Sequence, residues 1–598
     1  MDKLKERSEV SASDKWQIEK IYKNIEEFNK DYTWVEESFN TLKQVVKKFL
    51  NSKEDFSAFF KFDSKISRVI EKLSVYANCK EDEDTANTTY QELSSKIQNL
   101  YAKYSEITSS VVPNIIKEDE NKILSYIDED LESYRHMITS ILRQKKHCLS
   151  SDNEKLLAAF SPVLGSASDT YSYLTNADMK LGTIHDEENK EVELNESNFS
   201  RYIRSKDRRV RKESFEKLYE SYAGVKNTIA SLYGSILKYD SINAKLRGYT
   251  SSLESYLNPN NIPTALYNNL IKTINDNLEP LYEYFELKKK MLGLDEFHLY
   301  DGYVSTIKSI DKKYSYEEAK SIVLDALKIY NDEYIEKLVE AFNNGWIDIY
   351  PNKGKKSGAY STGSYDTLPY VLLNYTGEYN DVSTLAHELG HSMHTYFSTS
   401  NQPYETSSYV IFLAEIASTT NELILSDYMY KKATTKEEKL AILNERLDLF
   451  KATLYRQTMF AEFEKNAHDY VDSGNIATCE YLNSMYYDLN KKYFGDKVVV
   501  DKDIANEWSR IPHFYTPFYV YQYATSLSIA CYVAQNLINQ TPGFKEKYLK
   551  LLKSGGKDYP LELLKIIDIN LEDNKVFESA IDLFKETLEE FKNIYLEK

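Results

Sequence analysis

The chain has 598 residues, of which 42% are hydrophobic, so it exceeds one ordinary domain and can form substantial cores. Its 75 Lys and Arg residues are outnumbered by 93 Asp and Glu residues, and the net charge of −18 argues against nucleic acid or an anionic membrane as the main partner. Only 18 glycines and 12 prolines are present, which predicts long helices joined by few loops.

Helical periodicity dominates the first half of the chain. Apolar residues recur three or four positions apart in stretches that predict helices: residues 34–50, 56–76, 90–107 and 200–246, with a further helix beginning near Pro263. Two short strand-like segments, residues 181–184 and 191–194, flank an acidic turn, and this pattern predicts a hairpin.

The most specific motif of the chain is HELGH, in which His387 and His391 stand four residues apart. Asp381 is a helix-start residue before it, so a helix is expected there. Each residue turns a helix by about 100°, so the two histidines lie about 40° apart around the axis and can both reach one Zn²⁺. Glu388 can lean over the same ion as a general base. Gly390 costs a helix about 1 kcal/mol relative to Ala, which indicates that something approaches the backbone closely.

A catalytic zinc needs a third protein ligand, and Glu415 is the candidate. It lies in an apolar stretch, and no basic residue occurs between Tyr404 and Asp427. A buried carboxylate is costly unless it binds a metal or pairs with a basic residue, which here would come from elsewhere in the fold. Glu422, seven residues on, either orients a ligand imidazole or is a solvated helix charge. His394 is expected either to support the ligands from behind or to be a packing residue, because three protein ligands already complete such a site.

These residues resemble the thimet-oligopeptidase and neurolysin class of zinc peptidases, and within it the bacterial oligoendopeptidase F branch. The resemblance extends over nearly the whole chain, from about Trp16 to about Phe584. It rests on residues 16–22 (WQIEKIY), 356–361 (KSGAYS), 387–394 (HELGHSMH), 414–422 (AEIASTTNE) and 511–524 (IPHFYTPFYVYQYA). It implies a mostly α fold, a large helical body that encloses a deep substrate channel, with a small sheet beside the zinc-binding helix.

The resemblance also implies the chemistry of the HExxH site. One catalytic Zn²⁺ held by His387, His391 and Glu415 would activate a water molecule. Glu388 would take the proton of that water and later deliver it to the leaving amine.

Further residues are assigned by the resemblance in the segment near residue 515. His513 and Tyr521 match best the His and Tyr that stabilise the oxyanion of the attacked carbonyl. Tyr360, Tyr515 and Tyr519 are expected to bind substrate. From the residues alone, the choice among the three C-terminal tyrosines stays open, because the chain holds 51 Tyr and a Tyr-rich stretch is also typical of ordinary packing.

A short apolar run at residues 368–375 is bounded by turn residues and predicts a strand. Pro369 at its start is typical of an edge strand. Such a strand either adds an extended peptide to its edge or is a buried structural strand.

We therefore expect a zinc metalloendopeptidase that hydrolyses internal bonds of short, unstructured oligopeptides. One alternative is a zinc carboxypeptidase or dipeptidase of similar fold, for which Arg510 or Lys356 would supply a basic subsite. Another is a catalytically silent helical peptide-binding protein. The predicted organisation is an N-terminal helical domain (residues 1–112), a connecting segment with the hairpin (113–200) and a zinc peptidase catalytic region (201–598).

The expected location is the cytoplasm. The sequence opens on a charged segment without an apolar signal core, and no apolar run approaches the ~18 residues of a transmembrane helix. Short peptides are the expected partners, with no membrane and no nucleic acid. The cysteines have no paired spacing, which is typical of reduced thiols: Cys79, Cys148, Cys479 and Cys531.

Overall fold

A computed structural model describes residues 4–307 and 312–596, and these residues are predominantly helical, as expected. Short 3₁₀ and π turns join many of the helices. In chain order the α-helices are α1 (Ile25–Lys48), α2 (Lys53–Glu83), α3 (Thr88–Thr108), α4 (Val111–Lys117), α5 (Glu120–Ser125), α6 (Arg135–Arg143), α7 (Ser151–Leu164), α8 (Ser166–Tyr173), α9 (Glu196–Tyr202), α10 (Arg208–Leu246), α11 (Ser252–Leu257), α12 (Thr264–Asn275), α13 (Glu279–Met291), α14 (Tyr316–Ala326), α15 (Asp332–Asn343), α16 (Tyr379–Asn401), α17 (Tyr404–Ser407), α18 (Ile411–Lys432), α19 (Lys436–Phe450), α20 (Arg456–Asp472), α21 (Cys479–Phe494), α22 (Tyr521–Ile538), α23 (Phe544–Leu552), α24 (Pro560–Leu564) and α25 (Lys575–Leu596).

The strands are short and form three small sheets within the described residues. The first sheet is an antiparallel hairpin, the second a parallel pair, and the third has the order β4-β6-β5. The strands are β1 (Thr183–His185), β2 (Glu191–Glu193), β3 (Phe297–His298), β4 (Ile347–Asp348), β5 (Tyr360–Thr362), β6 (Tyr370–Leu372) and β7 (Val498–Val499).

Most elements predicted from periodicity are confirmed. Helices α1, α2 and α3 cover the first three predicted stretches, and α9 with α10 covers the fourth. Pro263 caps α12 at its N-terminus, and the predicted hairpin is present, with Ile184 opposite Val192. The strand predicted at residues 368–375 is β6, but the expectation of an edge position is wrong: β6 pairs with β4 on one side and with β5 on the other, so β4 and β5 are the edge strands.

The chain divides into two compact units. Unit 1 comprises Met1–Cys148, Asp311–Lys431 and Ala530–Asn570, and unit 2 comprises Leu149–Ile310, Lys432–Ile529 and Leu571–Lys598. The three-part organisation expected from the sequence stays a prediction. Among the described helices, none combines the length and the apolar character needed to cross a membrane.

The N-terminal helices of unit 1 are stabilised by capping residues at their starts and by apolar residues along one face. The side chains of Asn24 and Ser52 accept backbone N–H groups at the starts of α1 and α2. Helix α1 buries Phe28, Val35 and Leu42, spaced by whole turns, in a core shared with α2 and α3. The central strand β6 contributes to the same core, so the helices support the small sheet.

Buried ion pairs hold the segment that precedes α1. The Arg7 guanidinium donates to Asp348 of β4 at 2.9 Å and to Glu83 at the end of α2 at 3.0 Å. The Asp348 carboxylate also meets the Lys355 ammonium at 2.7 Å, and the Trp16 indole N–H donates to Glu83 at 2.8 Å. These pairs tie the chain start, α2 and the small sheet together.

Unit 2 is built along α10, a helix of 39 residues that packs against α20 and α21. A fully buried carboxylate, Glu507, lies between these helices. It accepts hydrogen bonds from the hydroxyl groups of Tyr219 at 2.8 Å and Tyr486 at 2.5 Å, and it forms an ion pair with Arg456 at 2.6 Å. Because the buried charge is compensated by these donors, it acts as a structural link.

Candidate active site

Helix α16 carries the HELGH motif, as the sequence predicts, but begins two residues before Asp381, at Tyr379. The Asp381 carboxylate accepts the backbone N–H of Thr376 at 2.8 Å and that of Glu378 at 3.0 Å. These bonds cap the helix, and its positive N-terminal end is stabilised by the negative side chain.

The two histidines and Glu415 converge in unit 1. The Nε2 atoms of His387 and His391 are 3.2 Å apart, and Glu415 Oε2 lies 3.4 Å and 3.5 Å from them. Ligand atoms held at about 2.0–2.1 Å around one tetrahedral ion lie about 3.3–3.4 Å apart. The three side chains therefore fit a single metal ion, and the donor set of two imidazoles and one carboxylate is one that Zn²⁺ prefers.

Gly390 makes this convergence sterically feasible. A Cβ atom at this position would lie 2.6 Å from Cα of Ser418 and 2.7 Å from the carbonyl oxygen of Ala417, both on α18. Helices α16 and α18 thus touch backbone to backbone at Gly390, which confirms the close approach inferred from the sequence. Glu415 lies one turn before Ser418, so the crossing brings its carboxylate to the histidines.

Glu422 contacts His387 on the side of the ring away from Nε2. Its carboxylate is hydrogen-bonded to His387 Nδ1, which therefore carries the proton and leaves Nε2 free for a metal. Burial lowers the pKa of His387, but the bond to Glu422 and the nearby carboxylates raise it to about 9. The sequence leaves two roles open for Glu422, a solvated helix charge or a residue that orients a ligand imidazole. The hydrogen bond to His387 supports the second role.

Glu388 is buried, with 6% of its surface exposed, and burial raises its pKa. Burial also acts on Glu415, but there the neighbouring His391 and His387 dominate and lower its pKa to about 2. The two carboxylates of one site therefore differ: Glu415 is held ionised and Glu388 has a higher proton affinity, as a proton-transfer group requires.

His394 is a packing residue, which is one of the two roles expected for it. Its ring stacks on that of Tyr409 with centroids 3.7 Å apart, and the Tyr409 hydroxyl bonds the Thr395 hydroxyl at 2.9 Å. Burial lowers the pKa of His394 to about 3, so the ring is neutral. The contact links α16 to the chain that enters α18.

Tyr360 lies on the edge strand β5. Its hydroxyl donates to Asp82 at 2.6 Å, and the next residue, Ser361, bonds Ser392 of α16 at 2.8 Å through the hydroxyl groups. The small sheet therefore stands beside the motif helix, as expected. The Tyr360 hydroxyl already has a buried acceptor, so its role in substrate binding stays a prediction.

The C-terminal residues of interest belong to unit 2 and lie in residues 511–524, here called the His513 segment. The exposed His513 sits in a 3₁₀ turn, and burial of part of its ring lowers its pKa. Tyr519 and Tyr523 flank it, with ring centroids 6.1 Å and 6.0 Å away. The Tyr523 hydroxyl is 3.5 Å from His513 Nε2.

Tyr523 is a candidate that the sequence reasoning missed. Tyr519 precedes α22 and Tyr523 lies in its first turn, so the two do not share a helical face, and no local pattern of the sequence singles out Tyr523. Tyr521 is instead buried, with 2% of its surface exposed and its ring 5.0 Å from that of Tyr267. Tyr515 stacks on Tyr171 at 4.3 Å. The tyrosines beside His513 are thus Tyr519 and Tyr523, both partly exposed, and the catalytic role expected for Tyr521 stays a prediction.

Comparison with known proteins gives consistent similarities along the chain. The sequence model of peptidase family M3 matches residues 201–583, and that of Oligopeptidase F matches residues 115–180. Oligopeptidase PepF of Bacillus subtilis (strain 168) is 40% identical over 597 residues, which cover 100% of this chain and 89% of that protein.

Solved structures extend these similarities to the fold. The crystal structure of oligoendopeptidase-F from Enterococcus faecium is 34% identical, with a TM-score of 0.76, and the match covers 96% of this chain and 99% of that chain. A crystal structure of a Chlamydophila abortus protein is 36% identical, with a TM-score of 0.92, covering 99% of this chain and 100% of that one.

Substitution of Gly390 by alanine should separate α16 from α18 and weaken metal binding. The added methyl group has no space beside Ser418, so Glu415 is pushed away from the histidines. We expect a lower Tm and substoichiometric metal, measured by thermal unfolding and elemental analysis. The matched control is Gly224→Ala in α10, where a Cβ atom meets nothing within 4 Å and no loss is expected. Full metal content in Gly390→Ala would contradict the role of the crossing.

Removal of the Glu422 carboxylate should weaken metal binding without removing a ligand. In Glu422→Ala, His387 loses the acceptor that fixes its tautomer, and we expect about 10–100-fold lower metal affinity in a competition titration with a chelator. Asp427→Ala, on the same helix but paired with Lys431, is the control and should bind metal normally. Equal affinities in the two variants would remove Glu422 from the site.

Proposed function

The chain belongs to peptidase family M3 and is a metallo-oligopeptidase, and from this premise we propose that it is a zinc metalloendopeptidase. Its substrates are short, unstructured oligopeptides, which it cleaves at internal bonds. The observation that carries the proposal is the convergence of His387, His391 and Glu415, whose ligand atoms lie 3.2 Å, 3.4 Å and 3.5 Å from one another.

Zinc is the proposed ion because the ligand set suits it. His387 and His391 would bind through Nε2 and Glu415 through Oε2, which leaves a fourth position open for water. When bound, zinc supplies a Lewis acid that lowers the pKa of that water towards about 7 and polarises the peptide carbonyl. Glu422 would keep the His387 ring in the orientation that points Nε2 at the ion.

Glu388 is the proposed general base. Its carboxylate would accept a proton from the attacking water and then donate that proton to the nitrogen of the leaving amine. Burial supports this role, since it raises the pKa of Glu388 and so makes the carboxylate a better proton acceptor. The neighbouring His391 and His387 hold the pKa of Glu415 low, at about 2, despite its burial.

His513 and Tyr523 are the proposed donors to the oxyanion that forms on the attacked carbonyl. Support comes from their proximity, with the Tyr523 hydroxyl 3.5 Å from His513 Nε2, and from the exposure of His513. Tyr519 would contact the substrate beside them. Tyr521, expected in the donor role from the sequence, and Tyr515 would instead support the segment from within the core of unit 2.

The edge strand β5 is the proposed binding element for an extended peptide. It packs on α16 through the Ser361–Ser392 hydrogen bond, and the substrate would pair with its free edge as an added strand. A deep channel within a helical body would admit such extended peptides and exclude folded proteins. A cytoplasmic location, with neither a membrane nor nucleic acid as partner, completes the proposal.

Internal cleavage is favoured over removal of terminal residues. A carboxypeptidase needs a basic side chain to receive the free C-terminal carboxylate, and the sequence suggested Arg510 or Lys356. Arg510 is paired with Glu196 at 2.9 Å, and Lys356 with Asp82 at 3.2 Å. Because both charges are already balanced, neither residue supports a carboxylate subsite.

The direct test uses an internally quenched oligopeptide with both ends blocked. We expect cleavage at an internal bond, detected by mass spectrometry of the products, that a chelator stops and added Zn²⁺ restores. Cleavage only of peptides with a free terminus would favour the exopeptidase alternative. A wild-type protein that binds zinc but cleaves no peptide of a diverse pool would favour the silent binding protein.

Two glutamates of the site should separate catalysis from metal binding. Glu388→Gln should retain stoichiometric zinc and lose nearly all activity, at least ~10³-fold, because the amide cannot accept the proton. Glu415→Ala should lose zinc and activity together, because one ligand is missing. Full activity in Glu388→Gln, or stoichiometric zinc in Glu415→Ala, would refute the role assigned to that residue. Elemental analysis and peptide kinetics on the same preparations give both readouts.

A further inference from the structure

Phe518 is a strained position in the His513 segment. Its φ of 55° lies in the left-handed region, which bulky side chains rarely adopt. The residue follows His513 by five positions and precedes Tyr523 by five, so its conformation decides how the two are placed relative to each other. A backbone of this kind persists only where its surroundings hold it.

Glu464 holds the backbone of that turn. Its Oε1 atom accepts the Phe518 N–H at 2.7 Å, and the side chain, on α20, is fully buried. Among the described residues its other oxygen, Oε2, has no hydrogen-bond partner. Burying a carboxyl group with so little compensation is unfavourable, and the proposed reaction does not use it. The bond to Phe518 therefore accounts for its presence.

The ring of Phe518 is also enclosed by neighbouring side chains. Three rings surround it, those of His468 at 4.5 Å, Tyr256 at 5.6 Å and Tyr267 at 5.8 Å between centroids. His468 is itself fixed: Nδ1 donates to the backbone carbonyl four residues earlier at 2.9 Å, and Nε2 meets Asp240 at 3.0 Å. The Asp240 carboxylate also accepts the Tyr256 hydroxyl at 2.7 Å.

We propose that Glu464 is a positioning residue for the peptidase reaction. By accepting the Phe518 N–H it fixes the left-handed turn and thereby the mutual orientation of His513 and Tyr523. The inference rests on the proposed function, in which these two side chains stabilise the oxyanion. Asp240 and His468 contribute to the same positioning, because they immobilise the Phe518 ring.

Small movements of this turn are expected to matter for catalysis. The Tyr523 hydroxyl and His513 Nε2 are 3.5 Å apart, so a shift of the backbone between them separates the pair. A misplacement of about 1 Å can reduce a rate by about 10²-fold. The oxyanion forms only after attack on the carbonyl, so the loss should fall on kcat more than on KM, even though Tyr519 adjoins the turn.

The test compares glutamine and leucine at position 464. Burial raises the pKa of Glu464 to about 8, so near neutral pH the group is mostly a neutral carboxyl, which glutamine matches in shape and charge. Glu464→Gln keeps an acceptor for the Phe518 N–H and should stay within about threefold of wild-type kcat. Glu464→Leu loses it, and kcat should fall roughly 10–100-fold with KM within about twofold and metal content unchanged.

A matched control separates positioning from general destabilisation. Glu462 lies on the same helix and is also buried, but it bonds Lys492 at 2.8 Å and Tyr493 at 2.9 Å. Glu462→Leu should leave kcat within about threefold of wild type. In a His513→Ala background, Glu464→Leu should cost little further kcat, because both changes remove the same interaction. Multiplicative losses in the double variant would overturn the positioning role.

Hydrogen exchange gives a readout that does not depend on activity. In Glu464→Leu the peptide spanning residues 514–523 should exchange faster than in wild type, and in Glu464→Gln it should not. If the leucine variant does not fold, Glu464→Asp, shorter by one methylene, should show the same acceleration.

The outcomes of this experiment are distinct. Unchanged exchange in the leucine or aspartate variant would refute the anchoring of the turn by Glu464. Faster exchange with wild-type kcat would refute its positioning role. If the wild-type protein cleaved no peptide, the proposed function would fail, and so would the positioning role of Glu464 in it. The hydrogen-exchange rates would still show whether Glu464 holds the turn.

Discussion

Helices α16 and α18 approach each other at Gly390 with no space for a side chain between their backbones, since a Cβ atom there would lie 2.6 Å from Cα of Ser418. This contact sets the distances from Glu415 Oε2 to the Nε2 atoms of His387 and His391, which are 3.4 Å and 3.5 Å. It also places α18 so that Glu422 reaches the other side of His387. Protein interiors are close-packed and shift by repacking rather than by small continuous adjustments, so the geometry of the metal centre depends on this crossing.

The crossing also concentrates charge. Glu388, Glu415 and Glu422 surround two imidazoles in a partly buried region, and three carboxylates against neutral rings would repel one another. Burial lowers the pKa of His387, but the bond to Glu422 and the nearby carboxylates outweigh it and raise that pKa to about 9. A divalent cation bound to the two imidazoles would compensate the negative charge of the carboxylates. The site is therefore electrostatically suited to a metal rather than to a second basic side chain.

The local part of the site could be predicted from the sequence, and the non-local part could not. The four-residue spacing of His387 and His391 places both on one helical face whatever the rest of the fold does. Gly390 likewise signalled a close approach, because glycine is unfavourable within a helix.

Long-range pairing and packing decided the features that the sequence left open. Strand β6 became a central strand because β4 pairs with it, a contact that no local pattern encodes. The burial of Tyr521 depends on Tyr267, some 250 residues away, and alternating tyrosines alone did not distinguish it from Tyr523.

The most direct test of this account is an anomalous-difference map from crystals of the wild-type protein, with data collected on both sides of the zinc absorption edge. We predict one strong peak, present only above the edge, within bonding distance of His387 Nε2, His391 Nε2 and a Glu415 oxygen. A zinc peak at another cluster, or none at these side chains in crystals of protein that contains stoichiometric zinc, would contradict the assignment of the α16–α18 crossing as the metal centre.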